Sequence, residues 1–72
     1  MKTLKDLRND LGWTQLELSL KAKIGYSTYT KLEVGRSDAS SETIQKLAKF
    51  YQISRKRVVS ALRASQDAAS ND

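Results

Sequence analysis

The sequence predicts an all-α fold: a compact bundle of five short helices and no sheet. Three observations carry this. Apolar residues recur at helical spacing in successive segments, as in Leu4, Leu7 and Leu11 or Ile44, Leu47, Ala48 and Tyr51. Residues suited to capping, Thr3, Thr14, Gly25, Ser40 and Ser54, stand just before those segments. The one stretch with strand-like alternation would have no second strand to pair with.

Taken in order, the first helix is expected over Leu4 to Leu11, capped by Thr3 and stopped by Gly12. Thr14-Gln15-Leu16-Glu17 reads as a capping box, with Trp13 and Leu18 at the spacing of a hydrophobic staple. The residues that follow carry the ambiguity. Leu16, Leu18, Leu20, Ala22 and Ile24 alternate with polar residues, as in an amphipathic strand. Gln, Leu, Glu, Lys and Ala are strong helix formers, however, and no β-branched residue precedes Ile24. A helix from Gln15 to about Ala22 is therefore expected.

A third helix should run from Tyr26 to Val34, ended by a left-handed Gly35. Ser40 caps a fourth and Ser54 a fifth, in which Val58, Val59 and Leu62 are apolar. The ending SQDAASND is small and polar. The domain is accordingly expected to span residues 1–64, with 65–72 a frayed tail.

Thirteen Lys and Arg oppose eight Asp and Glu, a net charge of +5. Two of the acids, Asp67 and Asp72, fall in the tail, which leaves residues 1–66 at +7. Such an excess points to a polyanionic partner, nucleic acid ahead of a membrane surface. There is no Cys and no His, which removes disulfides, thiol and imidazole nucleophiles and almost every zinc site. No run approaches a membrane span, and MKTLKDLRND has no apolar signal core, so a cytoplasmic location is expected. Neither an enzyme nor a cofactor is expected, since no spacing groups Ser, Lys and carboxylates as nucleophile and base.

The second and third helices, joined by about three residues, have the outline of a helix-turn-helix. Projected at about 100° per residue, Tyr26, Ser27, Thr30, Lys31 and Val34 share one arc of the third helix. Thr28, Tyr29 and Leu32 fall on the arc that can pack. A polar outer arc near a helix N-terminus is what the DNA major groove accepts.

From Leu4 to Ser54 the chain resembles the phage repressor and Cro-like helix-turn-helix DNA-binding domains. The resemblance is carried by LRNDLGWTQLELSLKAKIGYSTYTKLEVG and SSETIQKLAKFYQIS. Within these, Thr14-Gln15, Glu33-x-Gly35 and Ile44-x-x-Leu47-Ala48 are the most specific parts. It implies a lambda-repressor-like fold and binding to double-stranded DNA. By the same resemblance, Tyr26, Ser27 and Lys31 take base-contacting positions, with Thr30 beside them. Gln15, Arg36 and Ser37 take positions that approach the phosphate backbone. Arg8 and Glu33 match a structural salt bridge between the first and third helices.

Two positions depart from the family pattern. Lys23 stands where the family has Gly; a left-handed Lys costs roughly 1 kcal/mol or more, so the turn is expected to shift by a residue and use Gly25. Ala39 replaces a loop Pro.

Several residues carry two readings. Tyr26 can touch a sugar or a thymine methyl, or simply cover the turn. Leu16 and Leu20 project away from Leu18 and Ala22, either partly buried against loops or as an apolar face for a protein partner. Arg55-Lys56-Arg57 reads as a solvated basic turn, or as long-range attraction to phosphates.

The expected function is a sequence-specific transcriptional regulator, a repressor in the first instance. One recognition helix reads few base pairs, so a homodimer on a two-fold operator is expected, with Val59 and Leu62 as dimer contacts. The alternative is an antitoxin or other protein-interaction module that acts through Leu16 and Leu20 and also binds operator DNA.

Overall fold

The computed structural model describes residues 2–70, with side chains through 68. Helices α1 (Leu4–Asp10), α2 (Gln15–Ala22), α3 (Tyr26–Glu33), α4 (Ser41–Tyr51) and α5 (Arg55–Ser70) follow one another, and no strand occurs among the described residues. None of these helices is long and apolar enough to cross a membrane.

Four of the five helices begin where a side chain satisfies free first-turn amides. At α1 the Asp6 amide donates to Thr3 Oγ1 (3.1 Å) while the Thr3 amide donates to Asp6 Oδ2 (3.0 Å). The same reciprocal pair starts α2, from Glu17 N to Thr14 Oγ1 (3.1 Å) and from Thr14 N to Glu17 Oε1 (3.0 Å). Ser40 and Ser54 accept from the amides three residues on, at 3.2 Å each. Gly25 precedes α3 without a side-chain cap.

The alternating leucines of α2 resolve as a helix because Leu18, Ser19 and Ala22 face inward together. Leu16 and Leu20 are left outside, 53% and 70% exposed. The core joins Leu4, Leu18, Ala22, Ile24, Tyr29, Leu32, Leu47, Val58 and Leu62. Trp13 meets the edge of Phe50 at 5.8 Å, and Phe50 meets Tyr51 at 5.1 Å, both near-perpendicular.

Three expectations are corrected. The turn after α2 does not shift to Gly25, which has φ −57°. Lys23 itself is left-handed at φ 60°, ψ 43°. The turn is over-determined: the Ile24 amide donates to the Ser19 carbonyl (2.9 Å), Ile24 is buried, and Lys46 Nζ donates to the Lys23 carbonyl (2.9 Å). Gln52 closes α4 in the same left-handed way, with Ile53 N donating to the Ala48 carbonyl.

The ordered chain also does not stop at residue 64. Helix α5 continues to Ser70, and Ala64 and Ser65 are buried. Ser65 Oγ accepts from the Leu4 amide (3.1 Å) and donates to the Ala61 carbonyl (3.0 Å). Gln66 Nε2 donates to Asp38 Oδ1 (2.8 Å). The absence of a side chain at Gly35 is what lets the helix lie this close. A Cβ on Gly35, which has φ +75°, would stand 2.7 Å from the Ser65 carbonyl oxygen. The part of the expected tail at residues 71 and 72 lies outside the described residues.

The third correction concerns Leu62. It is only 7% exposed and belongs to the core, so it is not open to a second copy; Val59 beside it is half-buried.

Candidate nucleic-acid interface

The Lys23–Gly25 turn sets α3 against α2, and α3 has a packed and an outward side. Tyr29, Leu32 and Glu33 are buried. Tyr26 is half exposed, and Ser27, Lys31 and Val34 stand outward with it. Thr30 is half-buried, and its hydroxyl donates to the Ser27 carbonyl (2.9 Å), so its donor is already used within the helix. Thr30, Lys31, Val34 and Arg36 line one open groove between α3 and the loop after it. The Arg36 amide is tied to the Lys31 carbonyl at 2.9 Å. Ser37 beyond it is half-buried.

Thr28 is the exposed residue that the projection misplaced. It falls on the arc of Tyr29 and Leu32, yet it is solvent-exposed. It belongs to the first turn of α3, where the absence of a side-chain cap on Gly25 leaves the helix end open. Position in the first turn was the available signal; helical angle alone was not enough.

Behind this surface lies a polar clamp. Arg8 Nε donates to Glu33 Oε2 (2.9 Å) and Arg8 Nη2 to Glu33 Oε1 (2.7 Å), a two-point pair of the kind a guanidinium fork suits. Arg8 Nη1 donates to the Trp13 carbonyl (2.7 Å). Gln15 Nε2 donates to Glu33 Oε1 (3.2 Å). The Arg8–Glu33 pair thus ties α1, the segment before α2, the first turn of α2 and the end of α3 to one another. The side chains of Arg8 and Glu33 are 11% and 3% exposed.

Burial raises the pKa of Glu33, but the surrounding polar groups, Arg8 first and Tyr29 and Gln15 with it, together outweigh burial and hold the carboxyl below its ordinary value. Arg8 is shifted up, chiefly by its hydrogen bonds to Glu33. The hydroxyls of Tyr29 and Tyr51 are enclosed nearby without reaching hydrogen-bond geometry. Burial pushes both phenols up, that of Tyr51 to about 12, so both stay neutral at physiological pH.

Glu33 is acceptor-only, so the Gln15 amide must turn its NH₂ toward it. The second hydrogen of that NH₂ remains the donor Gln15 can offer outward, at a helix start that already favours an anion. Three tethered helices with one polar, lysine-bearing face turned to solvent define a DNA-binding helix-turn-helix domain. A family model described as helix-turn-helix matches residues 4–57, and the chain belongs to that family, in its phage repressor and Cro-like form. It is a DNA-binding transcriptional regulator. No curated protein and no solved structure matches the chain.

Proposed function

We propose that this regulator is a cytoplasmic repressor that binds a two-fold operator as a homodimer, with α3 of each copy in the major groove. The observation that supports this most is the outward face of α3: Tyr26, Ser27 and Lys31 project from a helix whose far end is clamped through Glu33. In this reading Tyr26, Ser27, Thr30 and Lys31 face the bases, with Thr30 acting through its methyl because its hydroxyl is engaged. Gln15, Arg36 and Ser37 face phosphates. With Leu62 in the core, Val59 is the remaining apolar candidate on α5 for a contact between copies.

Selection of duplexes from a randomised pool, followed by measurement of stoichiometry, tests the proposal. Two copies on a palindromic site with half-site centres about one helical turn apart are expected. A single copy on an asymmetric site would overturn the dimer. A reporter whose promoter overlaps the selected site should fall silent, and activation would overturn repression.

A second reading is favoured by Leu16 and Leu20, which the fold leaves open on α2, with Leu11 also half exposed. That apolar stretch suits a protein partner, as in an antitoxin that neutralises a toxin and also binds its operator. A Leu16→Glu, Leu20→Glu variant that keeps DNA binding but loses a co-purifying partner would support it.

A further inference from the structure

Four lysines meet at a shallow cleft that none of the assignments above uses. Lys21, at the end of α2, and Lys23, in the turn, face Lys46 and Lys49 of α4, with Ala22 and Phe50 between them. A solvated basic face is the ordinary explanation of such a group. Two features here go beyond it.

The first is Lys46, which is half-buried and held in place. Its ammonium donates to the Lys23 carbonyl at 2.9 Å and lies 3.5 Å from the Glu42 carboxylate. The second is Lys23, whose left-handed backbone would be free of strain in glycine. Lys46, anchored to the Lys23 carbonyl and paired with Glu42, joins the turn to α4 at a cleft whose four lysines leave it with a net positive charge. A net positive surface of this kind attracts an anion.

The place of the cleft indicates which anion. Lys23 lies three residues before Tyr26, so the cleft borders the N-terminal end of α3, the end that carries the outward Tyr26 and Ser27. We infer that Lys21, Lys23, Lys46 and Lys49 bind phosphates of the duplex flanking the half-site on that side of α3. This surface is additional to Gln15 and to the Arg36 loop, and it extends the footprint on DNA. The inference rests on the DNA-binding reading above.

Two duplexes carrying the same selected half-sites test it, one trimmed to the sites and one extended by about ten base pairs on each side. The wild type should bind the extended duplex about tenfold more tightly. The Lys21→Gln, Lys49→Gln double variant should keep its affinity for the trimmed duplex and lose most of that advantage. Its log K against log salt slope on the extended duplex should be shallower by about two. Lys23→Gly should melt at a higher temperature than the wild type while losing part of the same advantage.

An extension advantage that survives both variants, or no advantage in the wild type, overturns the inference and leaves the DNA reading standing. No binding by the wild type to either duplex overturns both. Inorganic phosphate, followed by the amide shifts of residues 21–24, separates the other source of this chemistry. Saturation below millimolar phosphate with no effect of the flanks would assign the cleft to a free phosphate and overturn the assignment to DNA.

Discussion

Arg8 and Glu33, twenty-five residues apart, meet through two hydrogen bonds of 2.9 and 2.7 Å with little exposure to water. The pair fixes the end of the recognition helix to α1, and through Gln15 to the start of α2. A rigid three-helix frame follows from one carboxylate.

Removing one partner strands the other charge in the interior. Arg8→Ala should therefore cost about 3 kcal/mol, whereas Lys31→Ala, on the exposed face of α3, should stay within about 0.5 kcal/mol. Urea melts of the two variants measure this. Equal midpoints would remove the pair from its structural role.

The same pair gives a pH dependence with a definite sign. The folded Glu33 carboxyl titrates below its unfolded value, so the unfolded chain takes up protons first as pH falls. The stabilisation is complete above the unfolded carboxyl range, about 4.3, and is lost as pH drops toward the folded value. Without Arg8, burial of Glu33 is opposed by fewer favourable contacts, Gln15 among them, and shifts the balance toward its protonated form. The difference in melting midpoint between wild type and Arg8→Ala should narrow from pH 7 to pH 3.5. A constant difference would contradict the assignment.

Gly12 and Gly35 share left-handed backbones, at φ +72° and +75°, but differ in their surroundings. Nothing lies within 4 Å of a Cβ at Gly12, while at Gly35 the backbone of Ser65 and Gln66 lies within 3 Å. Gly12→Ala should cost about 1 kcal/mol from backbone strain. Gly35→Ala should cost at least twice as much and loosen α5. Thermal melts of both variants decide it, and equal costs would mean that α5 gives way freely.

Recognition should divide between the two helices of the motif. Gln15→Ala should weaken all duplexes by a similar factor, because a phosphate contact carries no base information. Lys31→Ala should lose about 1–3 kcal/mol on the selected site and relax preference at one base position per half-site. Competition with sites randomised one position at a time separates these outcomes. If Lys31→Ala weakens every sequence alike, base reading belongs to Tyr26, Ser27 and Thr30.

Local chemistry made much of this legible in the sequence. The Thr14–Glu17 box marked the start of α2 to the residue, and helical spacing placed Tyr29 and Leu32 inside. Neither needs information from elsewhere in the chain. Lys23, Ser65, Leu62 and Thr28 were misread because each depends on distant contacts or on the end of a helix. Propensity sends a lysine away from φ 60°, yet Ser19 and Lys46 hold it there. Composition marks SQDAAS as a tail, yet Gly35 opens a seat for its backbone. Apolar character offers Leu62 to a partner, yet the core takes it first.

The bond from the Leu4 amide to Ser65 Oγ has a kinetic consequence. First-turn amides ordinarily have no intrahelical acceptor and trade their hydrogens with water readily. The Leu4 amide can do so only when the last turns of α5 lift away from α1. Its deuterium uptake therefore times that opening, and a single resonance near the start of the chain becomes a clock for the undocking of its final helix.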